Sequence, residues 1–342
     1  MTTTAPWGFP DWGDAVLADR AAAAAGDVRA SLDLATGLGE RADALGTRTW
    51  SLFSTLATLG AVDLTTARTV EPHLDALTIL GQAGADVPGG STWGVYASAT
   101  GASGLQAVPA AEDGWALTGT KGWCSLAGEV SHALVTAPTT TGGHRLFAVA
   151  LGGESVTVEA GRWVPHGLRA VTTGSLTFHE TPATPVGPDG WYLSRPGFAW
   201  GGIGVAAVWF GGAAALAGAL WAAAERRPPD QVALVHLGAV DATLHACLLA
   251  LRDAAAAVDA GVAGPEAMVL AARVRALVAE ACDQVLSLVG RALGPAPLAM
   301  DETHAARVAD LGLYVRQHHA ERDLAALGSL RLPADTAAGA GE

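Results

Sequence analysis

A tryptophan and a serine lie two residues apart in the run GTKGWCS, at Trp123 and Ser125. Residues two apart on a β-strand point to the same face of a sheet. An aromatic ring beside a hydroxyl group suits a planar ligand, because ligand sites combine apolar walls with a few placed polar groups. The other interpretation is that Trp123 belongs to the core and Ser125 to a turn.

Two adjacent carboxylates, Asp301 and Glu302, follow a segment rich in Gly and Pro near the C-terminus. A carboxylate beside a substrate can take up a proton as a general base. The same two residues also suit the start of a helix, where Asp is a good N-cap and Glu interacts favourably with the helix dipole. The two roles are compatible, and the sequence leaves both open.

Two adjacent histidines, His318 and His319, continue a helical pattern. Val308, Leu311 and Val315 form an apolar stripe, and at about 100° per residue the histidines fall on or beside it. A polar continuation of a core stripe favours a cofactor or substrate cavity, because buried polar groups need partners. The alternative is a helix end that emerges into solvent.

The composition restricts the class of function. A formal net charge of −13 argues against nucleic-acid binding, which needs a basic surface, and gives little attraction to an anionic membrane. The three cysteines lack metal-ligand spacing, and such a sparse, odd number predicts reduced thiols in the cytoplasm. The charge-free stretch 198–224 is long enough to span a bilayer, but its Gly and Ala content favours a buried helix.

Secondary-structure patterns divide the chain into three blocks. Ala-rich, Leu-spaced runs predict N-terminal helices, short runs between turn residues predict an antiparallel β-barrel or sandwich, and four long apolar segments predict a C-terminal four-helix bundle. Asp113 and Gly114 suit a hairpin turn. The predicted domains are 1–90, 91–190 and 191–330, with a disordered tail at 331–342. The predicted strands are 93–99, 105–109, 115–124, 132–137, 145–151, 156–164 and 175–181, and the predicted bundle helices are 198–224, 231–260, 265–290 and 303–327.

This order of helices, strands and helices resembles the acyl-CoA dehydrogenase family of flavoproteins. The segment 119–137 is similar to the family stretch in which G-x-K-x-W/F precedes a hydroxyl residue and lies against the flavin. The resemblance therefore places Trp123, Cys124 and Ser125 at the flavin. The segment 166–184 is similar to a structural landmark at the end of the family's β-domain.

A weaker match covers the segment 91–103. It occupies the position of a family stretch that approaches the flavin pyrimidine and the substrate, but it lacks that stretch's Glu-Pro and Ser-Asp pairs. The resemblance implies that Tyr96, Ala97 and Ser98 contact the flavin from this strand.

The resemblance also implies bound FAD and α,β-dehydrogenation of an acyl thioester. In much of the family a Glu base precedes the last bundle helix, and counting back from Asp310 places Asp301 at that position, with Glu302 beside it. The family's arginine loop, which reaches the FAD pyrophosphate of a neighbouring subunit, is reduced here to ERRPPDQ. Arg226 and Arg227 are possible substitutes as diphosphate contacts, or a solvated pair at a helix end.

Three functions remain open at this point. The first is the FAD-dependent dehydrogenase with a small-molecule, acyl-thioester-like substrate. The second is a flavin-dependent monooxygenase on the same fold, which needs no carboxylate base and uses His318 or His319. The third is a flavin-free relative that acts as a partner or scaffold, since the cofactor loops are shortened. The resemblance further implies a homodimer or homotetramer assembled through the bundle.

Overall fold

The fold consists of helices, a mixed β-sheet and further helices, which confirms the predicted fold class. The domain boundaries stay a prediction, and the Asp113 turn and the tail beyond residue 332 lie outside the described residues. The computed structural model describes residues 12–98, 101–110, 114–140, 142–159, 161 and 163–332. The chain forms two compact units, one composed of Met1–Ala22, Leu45–Leu64 and Ala199–Glu342, and the other of Ala23–Ala44 and Thr65–Phe198.

Helices dominate the N-terminal block. The carboxylate of Asp27 accepts the backbone N–H groups of Arg29 and Ala30 at 2.8 and 3.0 Å, and so begins the second helix. The helices of this block are α1 (Ala15–Ala24), α2 (Val28–Thr36), α3 (Thr49–Val62) and α4 (Leu64–Ala83), with a 3-10 turn at Gly39–Ala44.

Among the described residues, seven strands form the sheet of the second unit. Their order is β1-β4-β5-β7-β3-β2, and β6 also pairs with β7. Among the described strands β1 and β4 pair in parallel and the other pairs are antiparallel, so the sheet is mixed. The strands are β1 (Trp93–Tyr96), β2 (Ser103–Pro109), β3 (Trp115–Ser125), β4 (His132–Pro138), β5 (His144–Ala150), β6 (Val156–Glu159) and β7 (Thr173–Val186).

Helix α4 packs on one part of this sheet. Ile79 and Leu80 of α4 cluster with Trp93, Leu134 and Leu146 from three strands, and each of the five is at most 2% exposed. Such burial contributes about 1.5 to 3 kcal/mol for each large side chain. The sheet unit therefore has an apolar core that includes α4.

The remaining helices follow the sheet, and the longest of them, α6, packs closely against α3. A side chain at Gly60 would overlap the carbonyl of Val208, and one at Gly211 would overlap the carbonyl of Ala57. The helices are α5 (Trp191–Ser194), α6 (Pro196–Arg226), α7 (Gln231–Asp259), α8 (Gly264–Leu293), α9 (Ala296–Met300), α10 (Glu302–Tyr314) and α11 (Glu321–Arg331).

Two helices in the described part of the chain are long and apolar enough to cross a membrane by length and composition alone. In the most apolar window of α6, with a mean hydropathy of 1.9, 78% of the residues are buried, as a core helix requires. In α7 the corresponding values are 1.7 and 22%. No residue from Gln231 to Ala239 is buried, so the first turns of α7 present apolar side chains to the surface.

The last predicted helix is wrong in its extent. Instead of running through 303–327, the helix α10 ends at Tyr314, continues as a 3-10 turn over Val315–Gln317, and is separated from α11 by His318–Ala320. Ala320 has φ +46°, which a helix cannot contain. The apolar stripe therefore does not extend through the two histidines.

Candidate functional site

The end of strand β3 has a strained backbone. Trp123 has φ +60° and Leu126 has φ +55°, and the pairing with β7 shifts in register between Lys121 and Cys124. This bulge leaves the Trp123 side chain 60% exposed. Non-glycine residues persist in the left-handed region only where their surroundings hold them there, and such strain concentrates at functional sites.

Ser125 is the centre of a hydrogen-bonded group beside this tryptophan. Its hydroxyl lies 2.9 Å from the Thr173 hydroxyl, and the Arg68 guanidinium donates to it at 3.4 Å. The Tyr96 hydroxyl donates to the Ser125 carbonyl at 2.9 Å. Arg68 also lies 3.8 Å from the Glu71 carboxylate. One helix, α4, and two strands, β1 and β7, thus contribute partners to one serine of β3.

A buried lysine supports this group from the interior of the sheet. Lys121 is 2% exposed, and its amine donates to the carbonyl and the hydroxyl of Thr136 at 2.9 and 3.0 Å. The Thr136 hydroxyl in turn donates to the Ala97 carbonyl at 3.3 Å. Burial lowers the pKa of Lys121 to about 8. The amine therefore links β3 to the end of β1, where Tyr96 lies.

Cys124 points away from the exposed face. Its side chain is completely buried, with its sulfur 3.3 Å from the Lys121 carbonyl, and burial raises the pKa of the thiol to about 12. The family resemblance grouped Cys124 with Trp123 and Ser125 at the flavin, but Cys124 is buried whereas Trp123 is exposed and Ser125 is half-buried. Tyr96 is buried, Ala97 is half-buried and Ser98 is exposed.

The two carboxylates lie in the other unit, at the start of α10. One oxygen of Asp301 accepts the backbone N–H of His304 at 3.0 Å, so the N-cap prediction is confirmed. Glu302 is exposed in the first turn of the helix. Arg307 of the same helix donates to the carbonyl of Val62 at 3.1 Å.

The two histidines lie in the break between α10 and α11, in the same unit as the carboxylates. His318 is 8% exposed, and its Nε2 lies 3.9 Å from the Asp323 carboxylate. Burial lowers the pKa of His318, and Asp323 opposes that effect. His319 is 60% exposed, and Asp323 accepts its backbone N–H at 3.0 Å. Asp323 thus fixes the break, together with Arg275, which donates to the Gln317 carbonyl at 3.3 Å.

Arg226 and Arg227 are exposed at the C-terminal end of α6. Cations are favourable there because they compensate the helix dipole. Within the described ranges no three His, Cys, Asp or Glu side chains come together in a way that could hold a metal ion.

Solved structures of similar fold cover almost the whole chain. KijD3, in complex with FMN and a dTDP-linked amino-keto sugar, is 22% identical with a TM-score of 0.77, covering 92% of this chain and 90% of that chain. Butyryl-CoA dehydrogenase from Megasphaera elsdenii is 17% identical with a TM-score of 0.77, covering 94% and 95%. Dibenzothiophene monooxygenase TdsC from Paenibacillus sp. A11-2 is 16% identical with a TM-score of 0.75, covering 92% and 96%.

The chain has the acyl-CoA dehydrogenase fold. No protein-family model matches its sequence, and no curated protein matches it either.

Two residues that hydrogen-bond to the Ser125 hydroxyl are not predicted by the sequence. Arg68 lies on α4 and Thr173 at the start of β7, which are 57 and 48 residues away from Ser125. Thr173 lies inside the segment 166–184, which resembles a structural landmark of the family, and that resemblance gives this residue no role. Arg68 has no local signal, since a half-buried arginine on a helix looks like a surface residue in the sequence.

Proposed function

We propose that this protein is a flavin-dependent oxidoreductase that acts on a small-molecule substrate. The observation that carries the proposal is the strained backbone that leaves the Trp123 ring exposed, two positions before the hydrogen-bonded Ser125. An exposed tryptophan costs stability and gains nothing in an isolated chain, but it supplies an apolar wall for a planar ring system. A bound flavin supplies the electron transfer.

The residues around Ser125 fit the polar edge of such a ring. Ser125 and Thr173 can each donate or accept a hydrogen bond. The half-buried guanidinium of Arg68 provides positive charge that stabilises negative charge on a bound group. Trp123 excludes water from one side of the bound ring. The Tyr96 hydroxyl holds the Ser125 carbonyl, and the Lys121 amine ties the same strand, β3, to Thr136 of β4.

Of the two reaction types, we favour monooxygenation over α,β-dehydrogenation. Asp301 uses one carboxylate oxygen to cap α10, and Glu302 is exposed, so neither has the enclosed surroundings typical of a general base. His318, by contrast, is buried and has no hydrogen bond to its Nε2 among the described residues. A buried imidazole can give or take a proton near neutral pH. Dehydrogenation with FAD and Asp301 or Glu302 as base is the second candidate.

The first experiment is reconstitution of the purified protein with FMN and with FAD. Visible absorbance and flavin fluorescence measure binding, and we expect saturable binding of one of them. Replacement Trp123→Leu removes the ring contact and should weaken binding roughly tenfold to hundredfold, since ring stacking contributes about 1 to 3 kcal/mol. The control is Trp221→Leu, on a half-buried residue of α6. Absence of binding to either flavin supports the flavin-free scaffold and ends the proposal.

The second experiment separates the two reaction types. Reduced flavin is supplied to the protein, and oxygen consumption is compared with acyl-thioester-dependent bleaching of the oxidised flavin. Monooxygenation predicts oxygen uptake that requires an added small-molecule substrate besides reduced flavin and oxygen. This uptake should fall in His318→Gln. Bleaching by an acyl thioester, lost in Asp301→Asn or Glu302→Gln, would instead establish dehydrogenation.

A homo-oligomer is the proposed assembly, supported by the exposed first turns of α7. Val232, Leu234 and Val235 are 64%, 54% and 64% exposed on that helix. Burying this surface against a second copy would remove it from water. Sedimentation should show a dimer or tetramer that Val235→Glu weakens, whereas Val16→Glu, at a 73% exposed valine of α1, should leave it unchanged.

The proposed location is the cytoplasm, which the three free cysteines support.

A further inference from the structure

A partly buried ion pair on α4 lies beside the hydrogen-bonded group of Ser125. Arg68 and Glu71 are three residues apart, so they lie on one side of the helix, and Nη1 of Arg68 is 3.8 Å from the Glu71 carboxylate. Only 17% of the Arg68 side chain and 13% of the Glu71 side chain are exposed. Salt screens charges at such positions less than charges on an open surface. Both charges therefore act strongly on their surroundings.

Arg68 is the member of the pair that contacts Ser125. Its other terminal nitrogen, Nη2, donates to the Ser125 hydroxyl at 3.4 Å. Its charge also reaches the Tyr96 hydroxyl, because burial and Cys124 raise the pKa of Tyr96 whereas Arg68 opposes that effect. The Tyr96 hydroxyl in turn donates to the Ser125 carbonyl at 2.9 Å. The positive potential of Arg68 thus extends to both polar groups that bind to Ser125 from this side.

Stability gives little reason for an ion pair at this position. Removing two charges from water costs free energy, and their attraction offsets that cost only where the geometry is excellent. The 3.8 Å between Nη1 of Arg68 and the Glu71 carboxylate exceeds the length of about 2.7 to 2.9 Å that is typical of a strong charge-assisted hydrogen bond. A role in the electrostatics of the neighbouring site accounts for the pair better than a role in folding.

We propose that this ion pair sets the preference of the flavin site for reduced over oxidised flavin, with Arg68 increasing that preference and Glu71 limiting it. The inference rests on the proposed function. The oxidised ring system is neutral, and uptake of two electrons and one proton converts it into an anion. Protein charges near the ring tune its electronics. The guanidinium beside Ser125 stabilises the anionic form, and the carboxylate next to that guanidinium opposes the effect.

This preference is measurable as a ratio of two dissociation constants, one for oxidised and one for reduced flavin. A site that binds the reduced form tenfold more tightly than the oxidised form raises the potential of the bound two-electron couple by about 30 mV. A residue that only shapes the site changes both constants by the same factor and leaves the ratio unchanged. The ratio therefore separates an electrostatic role of Arg68 and Glu71 from a structural one.

Anaerobic titration of the full chain with oxidised and with reduced FMN, and likewise with FAD, measures both constants through quenching of tryptophan fluorescence. Arg68→Met should weaken binding of the reduced form by about tenfold or more relative to the oxidised form. Glu71→Gln should shift the ratio in the opposite direction, because it removes a negative charge and keeps the shape of the side chain. Arg68→Lys keeps the charge without the planar donor fork and should retain most of the ratio.

Two matched controls are Arg29→Gln and Glu154→Gln, at exposed residues of the same unit, and both should leave the ratio unchanged. Circular dichroism checks that the variants fold. The inference fails if Arg68→Met weakens both forms equally. It also fails if Glu71→Gln shifts the ratio in the same direction as Arg68→Met, which would show that Glu71 only holds the guanidinium in place. Flavin binding with an unchanged ratio overturns the inference alone, whereas absence of any flavin binding overturns the proposed function with it.

Discussion

Replacing Lys121 by methionine should remove a pH dependence from the stability of the sheet. The Lys121 amine is almost completely buried, and its partners at Thr136 are uncharged oxygens. Burial lowers its pKa from 10.5 to about 8, a difference that corresponds to about 3 kcal/mol. Methionine preserves the unbranched shape of the side chain.

The sign follows from the two states of the amine. Above about pH 10.5 the amine is neutral in both states and contributes no pH dependence. Between about pH 10.5 and 8 the unfolded chain takes up a proton that the folded chain does not, so stability falls as the pH falls. From about pH 7 to about pH 9.5 the free energy of unfolding should therefore rise by about 2 kcal/mol more in the natural protein than in Lys121→Met.

Urea unfolding followed by tryptophan fluorescence measures this difference. Titrating groups that do not interact with the amine are present in both proteins and cancel, whereas Cys124 and His144 interact with its charge. Parallel pH profiles for the two proteins would refute the reasoning, because they would show that the folded state accommodates the charged amine at no cost. A difference of opposite sign would show that Thr136 stabilises the charge.

Three further predictions concern the helices. Gly211→Ala should lower the free energy of unfolding in urea by about 1 to 3 kcal/mol, because the new methyl group overlaps the Ala57 carbonyl. The control Gly218→Ala has open space around it and should raise the free energy of unfolding by about 1 kcal/mol. Equal effects of the two substitutions would contradict the close packing of α3 and α6. Ala320→Gly should raise the free energy of unfolding by about 1 kcal/mol, and with it the melting temperature, since glycine tolerates φ +46°. A lower melting temperature would mean that the break between α10 and α11 has another conformation. Asp301→Ala should lower the free energy of unfolding in urea by about 1 kcal/mol, because it removes the cap of α10. Asp301→Asn should keep most of that stability, because Asn also caps helices. An equal loss of stability in both variants would point to the charge of Asp301 instead of its cap.

The strands could be predicted well because their signal is local. All seven predicted runs overlap the observed strands, since each is short, rich in β-forming residues and bounded by turn residues. The side-chain alternation that predicts Trp123 and Ser125 on one face is also local, and it agrees with an exposed Trp123, a buried Cys124 and a half-buried Ser125. The parallel pairing of β1 with β4 could not be predicted, because strand partners are set by long-range packing.

The break after α10 and the partners of Ser125 could not be predicted from the sequence either, because they also depend on long-range contacts. Alanine is the best helix former, so a sequence with Ala320 at that position predicts an unbroken helix. The break depends on Arg275, which is 42 residues from the Gln317 carbonyl that it contacts. Arg68 likewise reaches Ser125 from a distant helix, and no periodicity within α4 indicates that contact.

The passage of the chain back and forth between its two units has a consequence for synthesis. The sheet unit is complete once residue 198 has emerged, but α3 must wait for α6, since Ala57 and Gly211 are 154 residues apart. At about 5 to 20 residues per second the delay is roughly 8 to 30 s. During that time the apolar face of α3 has no partner from α6 on the nascent chain. Aggregation and chaperone binding should therefore concentrate on this helix during translation, and slower elongation after residue 198 should lower the yield of folded protein.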